Sequence, residues 1–267
     1  MSESIQIETT LRNRIDSGHK ILVAYITGGL GNDWIQTLHS VINAGADVVE
    51  IGIPFSDPVM DGPVIQKAND ASLRSGSTPV SILNDVRGES VSAPLAVMTY
   101  YNLVYRMGHE RFASDLASAG ISGCILPDLP LEELNVWLEA ADQSNIETIL
   151  LAAPTTPDDR LAEICTSSAG FVYAVGLLGV TGVRSELADS AIQIASRLKK
   201  HTSKPVLVGV GIGTPEQAVE ASKVSDGVIV GSALVNEMLK GASPEEVGEM
   251  VASFRLPLDK NLSLIHI

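Results

Sequence analysis

The sequence predicts an α/β protein built as a (β/α)8 TIM barrel, with a helix ahead of the first strand and short extra helices in the loops of one rim. Three observations carry this. Apolar, β-branched runs recur eight times along 267 residues, amphipathic stretches separate them, and the residues least suited to ordinary structure all follow the ends of the apolar runs. Near-continuous apolar strands alternating with helices indicate a parallel sheet covered by helices, and the length is normal for a closed barrel. A doubly wound open sheet is the alternative. Against it, no GxGxxG follows the first apolar run and no linker divides the chain. Residues 1–260 are expected to form one catalytic domain. The final stretch 261–267, "NLSLIHI", is apolar and uncapped, and is set aside as a tail of doubtful origin.

The strands are expected at 21–26 (ILVAYI), 47–51 (DVVEI), 95–98 (LAVM), 123–126 (GCIL), 148–151 (TILL), 170–175 (GFVYAV), 205–210 (PVLVGV) and 227–230 (GVIV). Each is short and apolar, as strands buried on both faces are. Between them, the helical patterns cover 35–44, 110–119, 131–141, 161–167, 188–201 and 215–221. A further short helix is expected to open at Ser232 in "GSALVNEML".

Composition narrows the function. The chain is 45% hydrophobic, enough for a substantial core. It lacks the roughly 18 consecutive apolar residues of a membrane span, and "MSESIQIETT" at its start is not a signal pattern. A cytoplasmic protein is expected. Cys124 and Cys165 lie in apolar segments without metal-ligand spacing and read as buried thiols. The net charge of −14, from 32 acids and 18 basic residues, disfavours nucleic acid and anionic membrane as partners. An anionic substrate would therefore need a local pocket of backbone N–H groups.

In a barrel, the loops after the C-terminal ends of the strands build the active site. Here those loops hold the unusual residues: "PFSDPVMDGP" (54–63), "LPDLP" (126–130), "APTTPDD" (153–159), "GLLGVTGVR" (176–184), "GVGIGTPEQ" (209–217) and "GSALV" (231–235). Gly182, Gly211 and Gly231 allow close backbone approach, and Ser232, placed at a helix cap, adds a helix N-terminus. Loops after strands seven and eight with a short extra helix are a recurrent phosphate site. The plainer reading is that these glycines only turn the chain.

Two acids flank the proline-pinned loop. Glu50 is expected at the end of strand two, facing either the barrel interior or the helices. Facing inward, burial would raise its pKa and make it a proton donor; otherwise it is a glutamate paired with a basic residue. Asp61 precedes Gly62-Pro63 and could be a turn aspartate, as could Asp57 before Pro58. Spacing alone leaves both open.

The motifs themselves go further. "EIGIPFSDP" (50–58) followed by "DGPVIQ" (61–66) resembles the signature of the tryptophan synthase alpha chain. "AYITGG" (24–29), "NAGADVVE" (43–50), "MTYYN" (98–102), "PDLPLEE" (127–133), "GVTG" (179–182), "GIGTPEQ" (211–217) and "VGSALV" (230–235) occur in the same order, over almost the whole chain. The resemblance implies a (β/α)8 lyase that cleaves indole-3-glycerol phosphate to indole and glyceraldehyde 3-phosphate, with no metal or organic cofactor. It implies that Glu50 is the general acid–base and Asp61 the carboxylate that binds the indole N–H. Tyr25 and Tyr173 then match substrate-binding positions, and Thr181 matches the threonine of the strand-six lid. Gly182, Gly211, Gly231 and Ser232 match the phosphate cradle. A pyridoxal-phosphate-dependent beta chain is the implied partner in an α2β2 tetramer, docking on the loops at 55–58, 102–104 and 127–130.

The sequence departs from the family pattern at "GGLGN" (28–32), Leu103, Leu177-Leu178 and Val210. A regulatory subunit that cleaves slowly and a stand-alone indole-releasing lyase are the competing readings. A Schiff-base aldolase is disfavoured, because no lysine falls within the expected strands.

Overall fold

The computed structural model of the chain describes residues 5–176, 184–209 and 211–260. Strands β1 (Ile21–Thr27), β2 (Val48–Gly52), β3 (Leu95–Met98), β4 (Gly123–Ile125), β5 (Glu147–Ala152), β6 (Val172–Ala174), β7 (Val206–Val208) and β8 (Gly227–Val230) pair in parallel in chain order. The eighth returns to the first, with Ile21 opposite Gly227, so the barrel closes.

All eight expected strands are present, with shifted edges. β6 is shorter than 170–175, since Gly170 turns into it at φ +73°. β7 begins after Pro205, which has no N–H to donate. β2 runs on to Gly52, paired with Thr27 and Met98. Glu50 therefore stands inside the strand, not at its end.

The strand period of two sorts the side chains into layers. Ile21 and Val23 of β1, Val48, Ala96, Ile125, Ile149, Phe171, Tyr173, Leu207 and Ile229 fill the barrel. Ile7 and Leu11 of α1 (Ile7–Asp16) join this cluster and plug its lower end. α1 has no side-chain cap of its own. Instead the Glu147 carboxylate accepts the N–H groups of Ile7 and Glu8 (3.0 Å for Glu8), placing negative charge on the helix N-terminus.

Outside lie α2 (Trp34–Asn43), α3 (Pro63–Arg74), α4 (Pro79–Val86), α5 (Tyr101–Met107), α6 (His109–Ser118), α7 (Asn135–Gln143), α8 (Asp158–Ser167), α9 (Arg184–Leu198), α10 (Pro215–Ser222), α11 (Ser232–Leu239) and α12 (Pro244–Lys260). The expected helix 131–141 divides into a 3-10 turn, Leu131–Glu133, and α7. Proline at the first turn starts α3, α4 and α10, and capping boxes at Thr78–Ser81 and Thr214–Gln217 fix the last two. Cys124 and Cys165 are buried and free, as expected. Among the described residues no helix is long and apolar enough to cross a membrane.

A buried clasp closes the base of the barrel opposite the catalytic rim. Asp47 accepts the Leu22 N–H at 2.8 Å and pairs with Arg255 of α12 at 3.0 Å and Arg14 of α1 at 2.8 Å. Arg255 also donates to the Lys20 carbonyl, so one guanidinium ties the last helix to the first strand. Removing one partner of such a buried pair strands the other charge. Arg255→Ala is expected to cost about 3 kcal/mol in urea unfolding. A loss below 1 kcal/mol would mean that Arg14 alone holds Asp47.

Candidate active site

At the upper rim the inward-facing residues stop filling the barrel and leave a cavity of about 260 Å³. Its floor and walls come from six strands: Tyr25, Glu50, Met98, Leu151, Tyr173 and Ile229. Loop residues Met60, Asp61, Gly62, Pro127 and Val175, glycines Gly209, Gly211 and Gly231, and Ser232 complete it, with Ile65 of α3. Seven of the nine residues singled out in the sequence meet in this one cavity. Thr181 and Gly182 lie outside the described residues, as do Leu177, Leu178, Val210 and the tail 261–267.

Glu50 faces inward. It is opposite Tyr25 and Ala96 in the sheet register and is fully buried. Neither carboxyl oxygen has a hydrogen-bond partner among the described residues. Burial, and then the nearby charge of Asp61, raise its pKa from 4.5 to about 8. Asp61 is half-buried in the loop after β2. Burial raises its pKa to about 6, while hydrogen bonds from Asn69 and Tyr100 pull it down. Near pH 7, one acid holds its proton and the other is mostly ionised. Two carboxylates whose surroundings drive their pKa values apart make an acid and a charge stabiliser in one site.

Two glycines make room for the aromatic walls. A Cβ at Gly52 would overlap the Tyr25 hydroxyl, and one at Gly209 would overlap the Tyr173 ring. Burial beside Glu50 and Asp61 raises both tyrosines well above the usual phenol range, so they remain neutral. The apolar wall of Met98, Leu151, Val175 and Ile229 suits a flat aromatic group.

The opposite side of the cavity is backbone. Gly211 turns at φ +82°, a conformation that favours glycine. Gly231, not Ser232, is the cap of α11, and no side chain caps that helix. Ser232 is its first helical residue. The uncapped first-turn N–H groups of α11 have no partner within the helix, the arrangement that suits an anion.

Met60, Ile65, Met98, Leu151, Val175, Gly209 and Ile229 were not singled out as site residues. The signal was present in part: positions 98, 151, 209 and 229 fall two residues from other inward positions, once the register is known. Asn69 carried no signal, being one polar residue on a mixed helix.

A sequence profile described as "Tryptophan synthase alpha chain" matches residues 11–259. The tryptophan synthase alpha chain of Streptomyces coelicolor is 44% identical over 244 residues, covering 90% of each chain. That of Methanocaldococcus jannaschii is 41% identical over 224 residues, covering 82% of this chain and 80% of its own. Among solved structures, Mycobacterium tuberculosis tryptophan synthase superposes with a TM-score of 0.87 at 34% identity, covering 96% of this chain and 99% of the other. The Legionella pneumophila alpha subunit does so at 0.85 and 33%, covering 95% and 98%. With a closed barrel and two acids in one rim cavity, the chain belongs to the tryptophan synthase alpha chain family, the lyases that cleave indole-3-glycerol phosphate in tryptophan biosynthesis.

Proposed function

We propose that Glu50 and Asp61 divide the cleavage of indole-3-glycerol phosphate between them. The observation that carries this is the split in their acidity within one cavity: about 8 for the buried Glu50 and about 6 for Asp61. Glu50 gives its proton to indole C3, and the ring nitrogen takes up positive charge. The Asp61 carboxylate accepts the ring N–H and stabilises that charge as it grows. Glu50, now ionised, takes the proton of the hydroxyl on the adjacent glyceryl carbon. As the C=O bond forms there, the carbon–carbon bond breaks and its electrons return to the ring. Indole and an aldehyde leave, and Glu50 is again protonated.

Tyr25, Tyr173 and the aliphatic wall hold the indole. Gly211, Gly231 and the start of α11 hold the phosphate, with Gly182 proposed to complete the cradle and Thr181 of the strand-six lid proposed to close onto Asp61. This cradle answers the acidic surface: an anion is bound by local N–H groups against an unfavourable overall charge. Gly231→Asp puts bulk and negative charge into the cradle. It is expected to abolish the thermal protection that glycerol phosphate gives the parent chain; unchanged protection would place the phosphate elsewhere.

The proposed partner is a pyridoxal-phosphate-dependent beta chain in an α2β2 assembly, within the cytoplasm. Three rim loops support one docking surface. Phe55 stacks on Tyr100 with ring centroids 5.1 Å apart, and the Tyr101 N–H donates to Asp128 at 2.8 Å. The loop bearing Asp61 is thus tied to the loops after β3 and β4, and Val59 and Tyr105 stand exposed beside them. Substrate binding and docking would share these loops, so each should strengthen the other by the same factor. Indole release and binding affinity, titrated with a beta chain from the same genome, test both parts of the reading. Indole release that rises on complex formation is expected. Full activity alone, with no complex at micromolar concentration, would favour the stand-alone lyase.

A further inference from the structure

Asp61 stands on a loop with no regular structure, yet its task demands a fixed orientation. Its backbone is anchored by its own N–H on the Pro58 carbonyl at 3.2 Å and by the Gln66 side-chain amide on its carbonyl at 2.8 Å. Its side chain is held by α3, where Asn69 Nδ2 donates to Asp61 Oδ2 at 3.0 Å. Asn69 is 3% exposed, and its helix is pinned to the barrel by Ser72, which donates to the Gly28 carbonyl at 2.7 Å. The amide nitrogen must face the carboxylate, because two oxygens there would repel. Asn69 Oδ1 is left buried with no hydrogen-bond partner among the described residues. A buried polar atom left unpaired weakens the fold.

We propose that Asn69 is a positioning residue for the reaction, holding one oxygen of Asp61 and leaving the other directed at the ring N–H of the substrate. The inference rests on the assignment of Asp61 above. A neutral donor suits this task. It orients the carboxylate and favours its ionised form without neutralising the charge the transition state uses, as a lysine or arginine would. Among the described residues no ion pair involves Asp61. The titratable groups that face it are Glu50 on β2, Tyr25 on β1, Tyr100 after β3 and Tyr173 on β6, none of them cationic. Asn69 and the Tyr100 hydroxyl are therefore the groups that keep the acid ionised against its burial.

The test is the pH dependence of kcat/KM for indole release by the full chain, in the parent, Asn69→Ala and Asn69→Asp. In the parent the acid limb lies near the Asp61 pKa of about 6 and the alkaline limb near that of Glu50, about 8. Asn69→Ala removes the donor and is expected to move only the acid limb, to about pH 7. Asn69→Asp keeps the size and sets a second carboxylate against the first, so the two titrate as a coupled pair and the acid limb should leave its parental position. In an Asp61→Asn background, neither change should cost more activity. An unmoved acid limb, or an equal loss in that background, would leave Asn69 a purely structural residue and overturn the proposal. Near-parental activity in Asp61→Asn itself would instead overturn the role of Asp61.

Discussion

Glu50→Gln is expected to lower kcat/KM for indole release by about 10²–10⁴-fold, the usual contribution of a positioned general acid–base. The variant keeps the size of the side chain but cannot pass a proton. The alkaline limb of the pH profile should disappear with it, since that limb is the loss of the Glu50 proton near pH 8. The same variant should be more stable than its parent at high pH. Glu50 has a native pKa above its ordinary 4.5, so between 4.5 and about 8 the folded chain binds more protons than the unfolded one. Stability from this group is full below pH 4.5, falls as pH rises through that window, and is level above it. The rise from 4.5 to about 8 sets an upper bound of about 5 kcal/mol. Glu50→Gln removes this loss, so its melting temperature should exceed the parent's at pH 9 by more than at pH 4.5. Indole release within a few-fold of the parent would end the role given to Glu50. An unchanged stability profile would mean that the carboxyl ionises normally in its cavity.

Asp61→Asn should cost about 10²–10³-fold, comparable to removing one preorganised electrostatic partner. The geometry makes it worse than a lost charge. Asn69 already donates to this side chain, so the new amide must turn its oxygen toward Asn69. Its NH2 group then points at the ring N–H, donor against donor. The acid limb near pH 6 should vanish, while the alkaline limb of Glu50 moves down toward its ordinary range, because Asp61 is the second cause of the raised Glu50 pKa. A profile that keeps its acid limb would assign that limb to another group.

The catalytic rim carries features that cost stability. Glu50 and Asn69 are buried polar groups with oxygens that lack partners among the described residues, and Gly52 and Gly209 give up side chains to admit two tyrosines. The opposite end is consolidated by contrast. There, Glu147 holds the first helix through two backbone N–H groups, and Arg255 ties the last helix to Asp47 and to the Lys20 carbonyl.

Composition and pattern alone pointed to eight parallel strands covered by helices, with the unusual residues after the strand ends; closure of the sheet into a barrel came from the pairing of β8 with β1. Eight apolar runs between amphipathic stretches admit few other architectures. The acids stood out in "EIGIPFSDPVMDGP" (50–63), but spacing left a paired glutamate and a turn aspartate open, and only the resemblance of this motif to the family signature implied their roles. What the pattern could not decide was the direction of Glu50. In a parallel sheet both faces are buried, so Val49, Glu50 and Ile51 carry no alternation to separate inside from outside. Only the register, with Glu50 beside Tyr25 and Ala96, turned it inward. Tertiary structure also decided its charge, because the pKa rises by burial and by an acid eleven positions away. It joined Asp61 to Asn69, corrected the cap of α11 from Ser232 to Gly231, and matched Gly52 to Tyr25 and Gly209 to Tyr173. The contacts among these join residues whose separation along the chain has no periodic signature.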